Sequence, residues 1–322
     1  MRSALFLIFL TLLLPGQKVS GQYYDTGQDP ASLKWMQIKT DRFTVIYPEK
    51  YGAGGKAFAE SLDQAYSKLV TLFPEKKFKI PVVIHSLTTQ SNGYVAWAPK
   101  RMEIYPTPEE SKIPLDPKKQ LATHELPHVF QLEALNTGFS KALSFILGEQ
   151  ITGIISTLLP LWFFEGDAVF AETVLTGSGR GRSPSFQKQI KALAVEEGRY
   201  LKYDKSISGS YRDFVPDHYQ SGYQMVTWSL SKYDPQIWNK ALKFTGDQPF
   251  TLNPVNISLT KSAGLKKEKL HRETFDTLKT ISKPLPPLPP PPHQQYPAYV
   301  KQAPIPYKNP PNPQPISYAP TT

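Results

Sequence analysis

The sequence predicts an α+β domain, a small sheet-rich half followed by a mostly helical half. Two patterns carry the prediction. Between Trp35 and Tyr105 the apolar residues alternate or cluster in short β-branched runs. From Asp116 onward they recur at helical spacing instead. Strands first and helices after is the order of an α+β fold.

The segment Trp35 to Tyr47 alternates as a strand or hairpin, with Ile38, Phe43, Val45 and Tyr47 as its apolar positions. Gly52 to Leu72 has helical spacing (Ala57, Leu62, Ala65, Leu69) and stops at Phe73-Pro74. Ile80 to His85 is a β-branched strand with a proline near its start. Tyr94–Trp97 and Met102–Tyr105 complete a small sheet on which the helix packs. Asp116 is a good N-cap and Pro117 a good first helical residue, so a helix runs from there to about Leu135, near Asn136-Thr-Gly138. Further helices are expected over Ser140–Leu158, Pro160–Leu175, Pro184–Gly198, Pro216–Tyr233, Pro235–Phe244 and Lys266–Ile281. The apolar stretch Ile151–Phe164 reads as a buried helix, because Gly153 and Pro160 interrupt it and Glu149 and Gln150 precede it.

Both ends differ from this middle. Residues 1–21 read as a secretory signal: Arg2, an apolar run from Ala4 to Leu14, and Val19-Ser-Gly21 as the cleavage site. That run is too short to span a bilayer comfortably, so no transmembrane segment is expected after its removal and the protein is secreted or periplasmic. Residues 283–322 are proline-dense, carry no acidic residue and have few apolar anchors, the composition of an extended, solvated tail. Residues 22–282 remain as one domain, sheet-rich over 22–115 and helical over 116–282. The chain has no cysteine, which excludes disulfides and thiolate ligands and leaves histidine and carboxylate for any metal, a donor set that suits zinc. The net charge of +10 is scattered, without a basic stripe interleaved with aromatics, so nucleic acid is not an expected partner.

The chemistry centres on Leu121-Ala-Thr-His124-Glu125-Leu-Pro127-His128. On a helix, His124 and His128 lie one turn apart on one face, and both imidazoles reach a single cation. Glu125 sits one step round, close enough to take a proton from water at that cation. A second segment, Leu161-Trp-Phe-Phe-Glu165-Gly-Asp167-Ala-Val, begins its carboxylates 37 residues beyond His128. Glu165, Asp167 and Glu172 all lie on that one helix and compete for the role of third ligand. Three protein ligands and an open position describe a catalytic zinc site. The ordinary alternative is a pair of core histidines and a first-turn carboxylate favoured by the helix dipole.

The His-Glu-x-x-His motif followed by Trp-x-x-Glu-Gly-x-Ala resembles the glutamate-ligand zincins (gluzincins), specifically the peptidase MA-like domains of secreted bacterial proteins. The similarity runs from about Trp35 to about Leu278, and includes Ser91-Asn-Gly-Tyr-Val-Ala-Trp-Ala-Pro-Lys-Arg101, Gly177-Ser-Gly-Arg180-Gly-Arg182 and His218-Tyr219-Gln-Ser-Gly-Tyr223. The β-propeller that follows the domain in some relatives is absent from this sequence. The resemblance implies a zincin-like fold, zinc held by His124, His128 and Glu165, and Glu125 as general base in peptide-bond hydrolysis. It also points to His218, Tyr219 or Tyr223 as a donor to the developing oxyanion, although Tyr219 and Tyr223 also have core-face spacing. Asp167 or Glu172 would accept the second ring N–H of a histidine ligand. Ser91–Tyr94 would either precede an edge strand that pairs with an extended peptide or form a plain turn, and Arg180 or Arg182 would hold a carboxylate or sit solvated in their loop.

The sequence departs from the family at Pro127. A proline there removes the hydrogen bond to the Thr123 carbonyl, costs roughly 3 kcal/mol inside a helix and biases Leu126 away from helical dihedrals. Zinc binding at a good site contributes roughly 10 kcal/mol or more, so a distorted helix can still be held together by the ion. The expectation is a secreted zinc metallopeptidase acting on peptide or protein. The alternative is a catalytically degenerate zincin that binds a peptide or partner protein.

Overall fold

The computed structural model describes residues 29–108, 113–195 and 201–282. The expected signal segment and proline-rich tail lie outside these residues. The architecture is α+β, a five-stranded mixed sheet followed by helices.

Strands β1 (Trp35–Lys39) and β2 (Phe43–Pro48) form the expected hairpin, with Ile38 opposite Val45. Helix α1 (Gly52–Leu69) then crosses to β3 (Ile80–Ile84), which pairs parallel to β2. Strand β5 (Arg101–Pro106) pairs parallel to β3, and β4 (Ser91–Ala96) pairs antiparallel to β5 at the edge. The order β1-β2-β3-β5-β4 leaves one side of β4 free of strand partners. Alternation does the rest: Phe43 and Val45 of β2 and Ile80, Val82 and Ile84 of β3 point into one core with Phe58, Leu62 and Leu69 of α1.

Helix α2 (Pro117–Leu135) starts as the sequence predicts, with the Asp116 carboxylate accepting from the backbone N–H groups of Lys118 and Lys119 at 2.9 and 3.2 Å. Its Ala122, Leu126, Val129 and Phe130 belong to the core under the sheet. Its Leu132 and Leu135 belong to a second core built by the later helices. The helix is therefore covered on several faces, and most of its middle turns are buried, His124 among them, while His128 is half-buried. It continues through Pro127 without a break in the assignment.

Two expectations about the following segment are corrected. Ser140–Leu158 is not one helix: α3 (Gly138–Leu147) ends at Gly148, whose φ of +86° is left-handed, and α4 (Gln150–Ser156) starts anew. Nor is Ile151–Phe164 one buried helix. It breaks before Pro160, so α4 and α5 (Leu161–Thr176) meet at 96°, and Ile154 and Leu161 are left exposed. Among the described residues no single helix is long and apolar enough to cross a membrane. The remaining helices are α6 (Pro184–Val195), α7 (Tyr203–Ser208), α8 (His218–Lys232), α9 (Ile237–Asp247), α10 (Pro254–Ala263) and α11 (Lys267–Ile281). Periodicity missed α7 and α10, which are short and flanked by glycine or proline. The predicted end of α6 at Gly198 lies outside the described residues.

Helices α5 and α8 approach to backbone contact, and two glycines permit it. A Cβ on Gly166 would lie 2.2 Å from the carbonyl carbon of Gly222, and one on Gly222 would lie 1.9 Å from the carbonyl oxygen of Trp162. No real side chain tolerates either distance, and the obstacle is backbone. This contact sets Tyr219, one turn before Gly222, beside Glu165 of α5. Replacing Gly222 with alanine should push the two helices apart and destabilise the domain by about 1–3 kcal/mol, measured by urea denaturation. Unchanged stability would mean that the helices are not apposed this closely.

Candidate metal centre

His124 and His128 project from adjacent turns of α2, with ring centroids 5.5 Å apart and planes nearly perpendicular. Glu165 reaches them from the first turn of α5. Its Oε2 lies 3.4 Å from His124 Nε2 and 3.6 Å from His128 Nε2. That oxygen is buried and accepts no hydrogen bond. Ligand atoms bound about 2.0–2.1 Å from a tetrahedral ion are separated by about 3.3–3.4 Å, from the geometry of the tetrahedron. Two imidazole nitrogens and an orphaned carboxylate oxygen at this spacing fit a metal ion better than they fit one another. The three residues form the group whose donors could hold a metal, among the described residues.

The electrostatics agree. Burial opposes charge on the His128 ring, yet its contact with Glu165 outweighs this and raises the imidazole to about 9. Burial likewise pushes Glu165 up, but His124 and His128 hold it far below the usual carboxylate range. A pocket that so strongly retains a proton beside an ionised carboxylate is a pocket that stabilises a cation.

Each histidine is also held from behind. Gln131 lies one turn beyond His128, and its side-chain N–H donates to Asp167 Oδ2 at 2.8 Å and to the Phe164 carbonyl at 3.3 Å. Both partners are acceptors, so the amide orientation is fixed and Oε1 faces His128 Nδ1 at 2.9 Å. Nδ1 must then carry the proton, which leaves the Nε2 lone pair for the ion. Asp167 is therefore not a ligand; it anchors Gln131, and burial raises its carboxyl to about 6. Behind His124 sits Glu172, fully buried, with Oε2 3.5 Å from Nδ1. Glu172 accepts from the Arg180 backbone N–H at 2.7 Å and from Arg180 Nε at 3.0 Å, and Arg180 Nη2 approaches the same Nδ1 at 2.5 Å. Burial pushes Glu172 up, and the contacts with His124 and Arg180 more than reverse this. Of the three carboxylates on α5, Glu165 faces both histidines and the other two stand behind them.

The three donors line a cleft of about 450 Å³ together with Glu125, Arg180 and Tyr219, and with Ser91–Val95 of β4 on the facing wall. Of the family-derived donors, Tyr219 alone lines this cleft. Its ring centroid is 6.1 Å from that of His124, and burial followed by the nearby Glu165 charge pushes its hydroxyl well above the usual phenol range. His218 packs against Tyr219 with centroids 4.6 Å apart and does not line the cleft. Tyr223 lies one turn further on, behind the Arg180–Arg182 turn, with Thr173 and Thr227 beside its hydroxyl. Arg182 donates to the Thr173 carbonyl at 3.4 Å, so Arg180 is the arginine presented to the cleft.

Two residues escaped sequence reasoning. Gln131 carried a weak signal, its spacing of three from His128. Gly93 carried none: a Cβ there would lie 2.7 Å from the Glu125 carboxylate carbon, so a side chain at this position of β4 would displace the end of the Glu125 side chain. The sequence matches no family model and no curated protein.

Replacing Gln131 with leucine removes the group that sets the His128 tautomer. Metal affinity should fall by about 10–100-fold, measured by competition with a chromogenic chelator. An unchanged affinity would show that His128 does not bind through Nε2.

Proposed function

We propose that the protein is a zinc-dependent peptidase of the gluzincin type, acting on extended peptide segments in the cleft between α2 and β4. One observation carries the reading: a buried carboxylate oxygen without a hydrogen-bond donor, 3.4 and 3.6 Å from two imidazole nitrogens, with a second acidic side chain, Glu125, in the same cleft. Zinc suits a donor set of two imidazoles and one carboxylate, and when bound would supply a Lewis acid and lower the pKa of a coordinated water.

The chain's own residues account for the remaining steps. Glu125 accepts a proton from the attacking water and passes it to the leaving amine. Tyr219, kept protonated by burial and by Glu165, donates to the developing oxyanion. The open side of β4 pairs with the peptide backbone as an added strand and aligns it along the cleft. Gly93 leaves the space in which the Glu125 carboxylate lies against that strand. Arg180, anchored on Glu172, presents its guanidinium to the same cleft and orients a substrate carbonyl or carboxylate.

Pro127 favours a second reading, a degenerate relative that keeps the metal and binds peptide without cleaving it. Both readings require the ligands, and they divide on Glu125. For the peptidase, Glu125→Gln retains zinc and lowers hydrolysis of a mixed peptide library by about 10²–10⁴-fold. Wild-type protein that binds zinc and leaves the whole library intact would establish the degenerate reading instead.

A further inference from the structure

The two histidines of the metal centre are not held alike. Around His128 the tautomer favours an ion, because Gln131 Oε1 accepts at Nδ1 and leaves the Nε2 lone pair toward Glu165. Around His124 the closest contact at Nδ1 is a donor. Arg180 Nη2 lies 2.5 Å from that nitrogen, whereas the nearer Glu172 oxygen is 3.5 Å away. A guanidinium has N–H groups and no acceptor. Its contact therefore needs a lone pair on Nδ1, and a neutral imidazole with its lone pair there carries its proton on Nε2. Nε2 is the atom that faces Glu165 Oε2, at 3.4 Å, and the atom that an ion shared with His128 must take.

The surroundings of Arg180 allow this contact to be exchanged. Its backbone is fixed on α5. Thr176 Oγ1 accepts from the N–H groups of Ser178 and Gly179 at 3.3 and 3.1 Å, and the Gly181 N–H donates to Thr173 Oγ1 at 3.0 Å. The Arg180 N–H itself donates to Glu172 Oε1 at 2.7 Å. Its side chain is tied by Nε, which donates to Glu172 Oε2 at 3.0 Å. A carboxylate oxygen has two lone pairs, so Oε2 can accept a proton from Nδ1 while Nε stays in place. The end of the guanidinium need only swing about that hydrogen bond. It already stands 5.3 Å from the centre of the Tyr219 ring, and both residues line the cleft.

We propose that Arg180 and the metal ion compete for His124. On loading, the ring proton passes from Nε2 to Nδ1 through water, with no net gain or loss, and Glu172 replaces Arg180 as the partner of Nδ1. The displaced guanidinium turns into the cleft beside Tyr219, where it takes the substrate carbonyl or carboxylate. Arg180 is thus a clamp that the ion releases. The coupling is reciprocal, so an occupied clamp favours the loaded site. The inference rests on the metal centre proposed above and does not require that the bound peptide be cleaved.

Two measurements on the full chain test it. The first is histidine nitrogen NMR of protein dialysed against a chelator, with the His124 signals assigned by their loss in His124→Ala. The ring should be protonated at Nε2, and added zinc should shift the proton to Nδ1. A ring protonated at Nδ1 before zinc is added would overturn the proposal, since Glu172 would already be its partner. The second is zinc affinity by chelator competition. Arg180→Met removes the competitor, and affinity should rise by about tenfold, the worth of one hydrogen bond to a charged group. Were Arg180 only a support for the site, its loss would lower affinity by about 10–100-fold. Lowered or unchanged affinity would overturn the proposal. The NMR measurement uses wild type and decides the question even if Arg180→Met does not fold. Wild-type protein that binds no zinc would overturn the metal centre and this inference together, whereas the other contrary results overturn this inference alone.

Discussion

An ionised carboxylate inside a protein needs a positive partner, because burial without one costs several kcal/mol and ordinarily forces the group to protonate. Glu165 meets that requirement with an oxygen that has no hydrogen-bond donor and faces two imidazoles at distances too long for good hydrogen bonds. The surrounding structure is arranged about that unsatisfied charge. Gln131 and Asp167 fix one ring, and Glu172 and Arg180 contact the other. The two backing carboxylates come from the same helix as Glu165, so a single element supplies the ligand and the groups behind both histidines. Burial opposes charge on His128, but Glu165 of α5, with Glu125 of α2 and Gln131, outweighs it and raises the pKa of that ring.

The scaffold explains how such a site withstands its own strain. Helix α2 contributes to the core beneath the sheet and to the core among the later helices, and it is held along much of its length. A proline in mid-helix loses one hydrogen bond, but it cannot easily bend a helix packed between two cores. His124 and His128 accordingly converge on Glu165 across Pro127. The second requirement is that α5 and α8 touch at Gly166 and Gly222, which brings Tyr219 over the site. The third is the edge position of β4, where Gly93 meets Glu125. At Gly166 and Gly222 the approach is to backbone, and glycine is the one residue type that permits it.

Much of this was legible in the sequence, for physical reasons that differ from part to part. The Asp116-Pro117 start of α2 is local chemistry, and it appears where expected. His124 and His128 are legible because a spacing of four fixes two side chains on one face whatever the helix packs against. The hairpin and the central strands follow from alternation. What escaped depends on contacts distant in sequence. Gln131 matters because Asp167 lies behind it, Gly93 because Glu125 lies in front of it. The break at Gly148 turns on a left-handed dihedral that an apolar run conceals. Tyr219 and Tyr223 share one face of a helix by spacing, yet they meet different neighbours, and periodicity gives no information about where along that face the cleft ends.

Two helices bring together His124, His128 and Glu165, a group that could hold a metal ion. The most direct measurement is the metal content and zinc affinity of the purified protein after dialysis, compared between wild type, His124→Ala and Glu165→Ala. About one tightly bound ion per chain in wild type, lost from both variants while Asp167→Asn retains at least part of it, is the result predicted. Full occupancy in Glu165→Ala, or a wild-type protein that binds no ion when zinc is supplied, would contradict the reading of the His124–His128–Glu165 group as a metal centre.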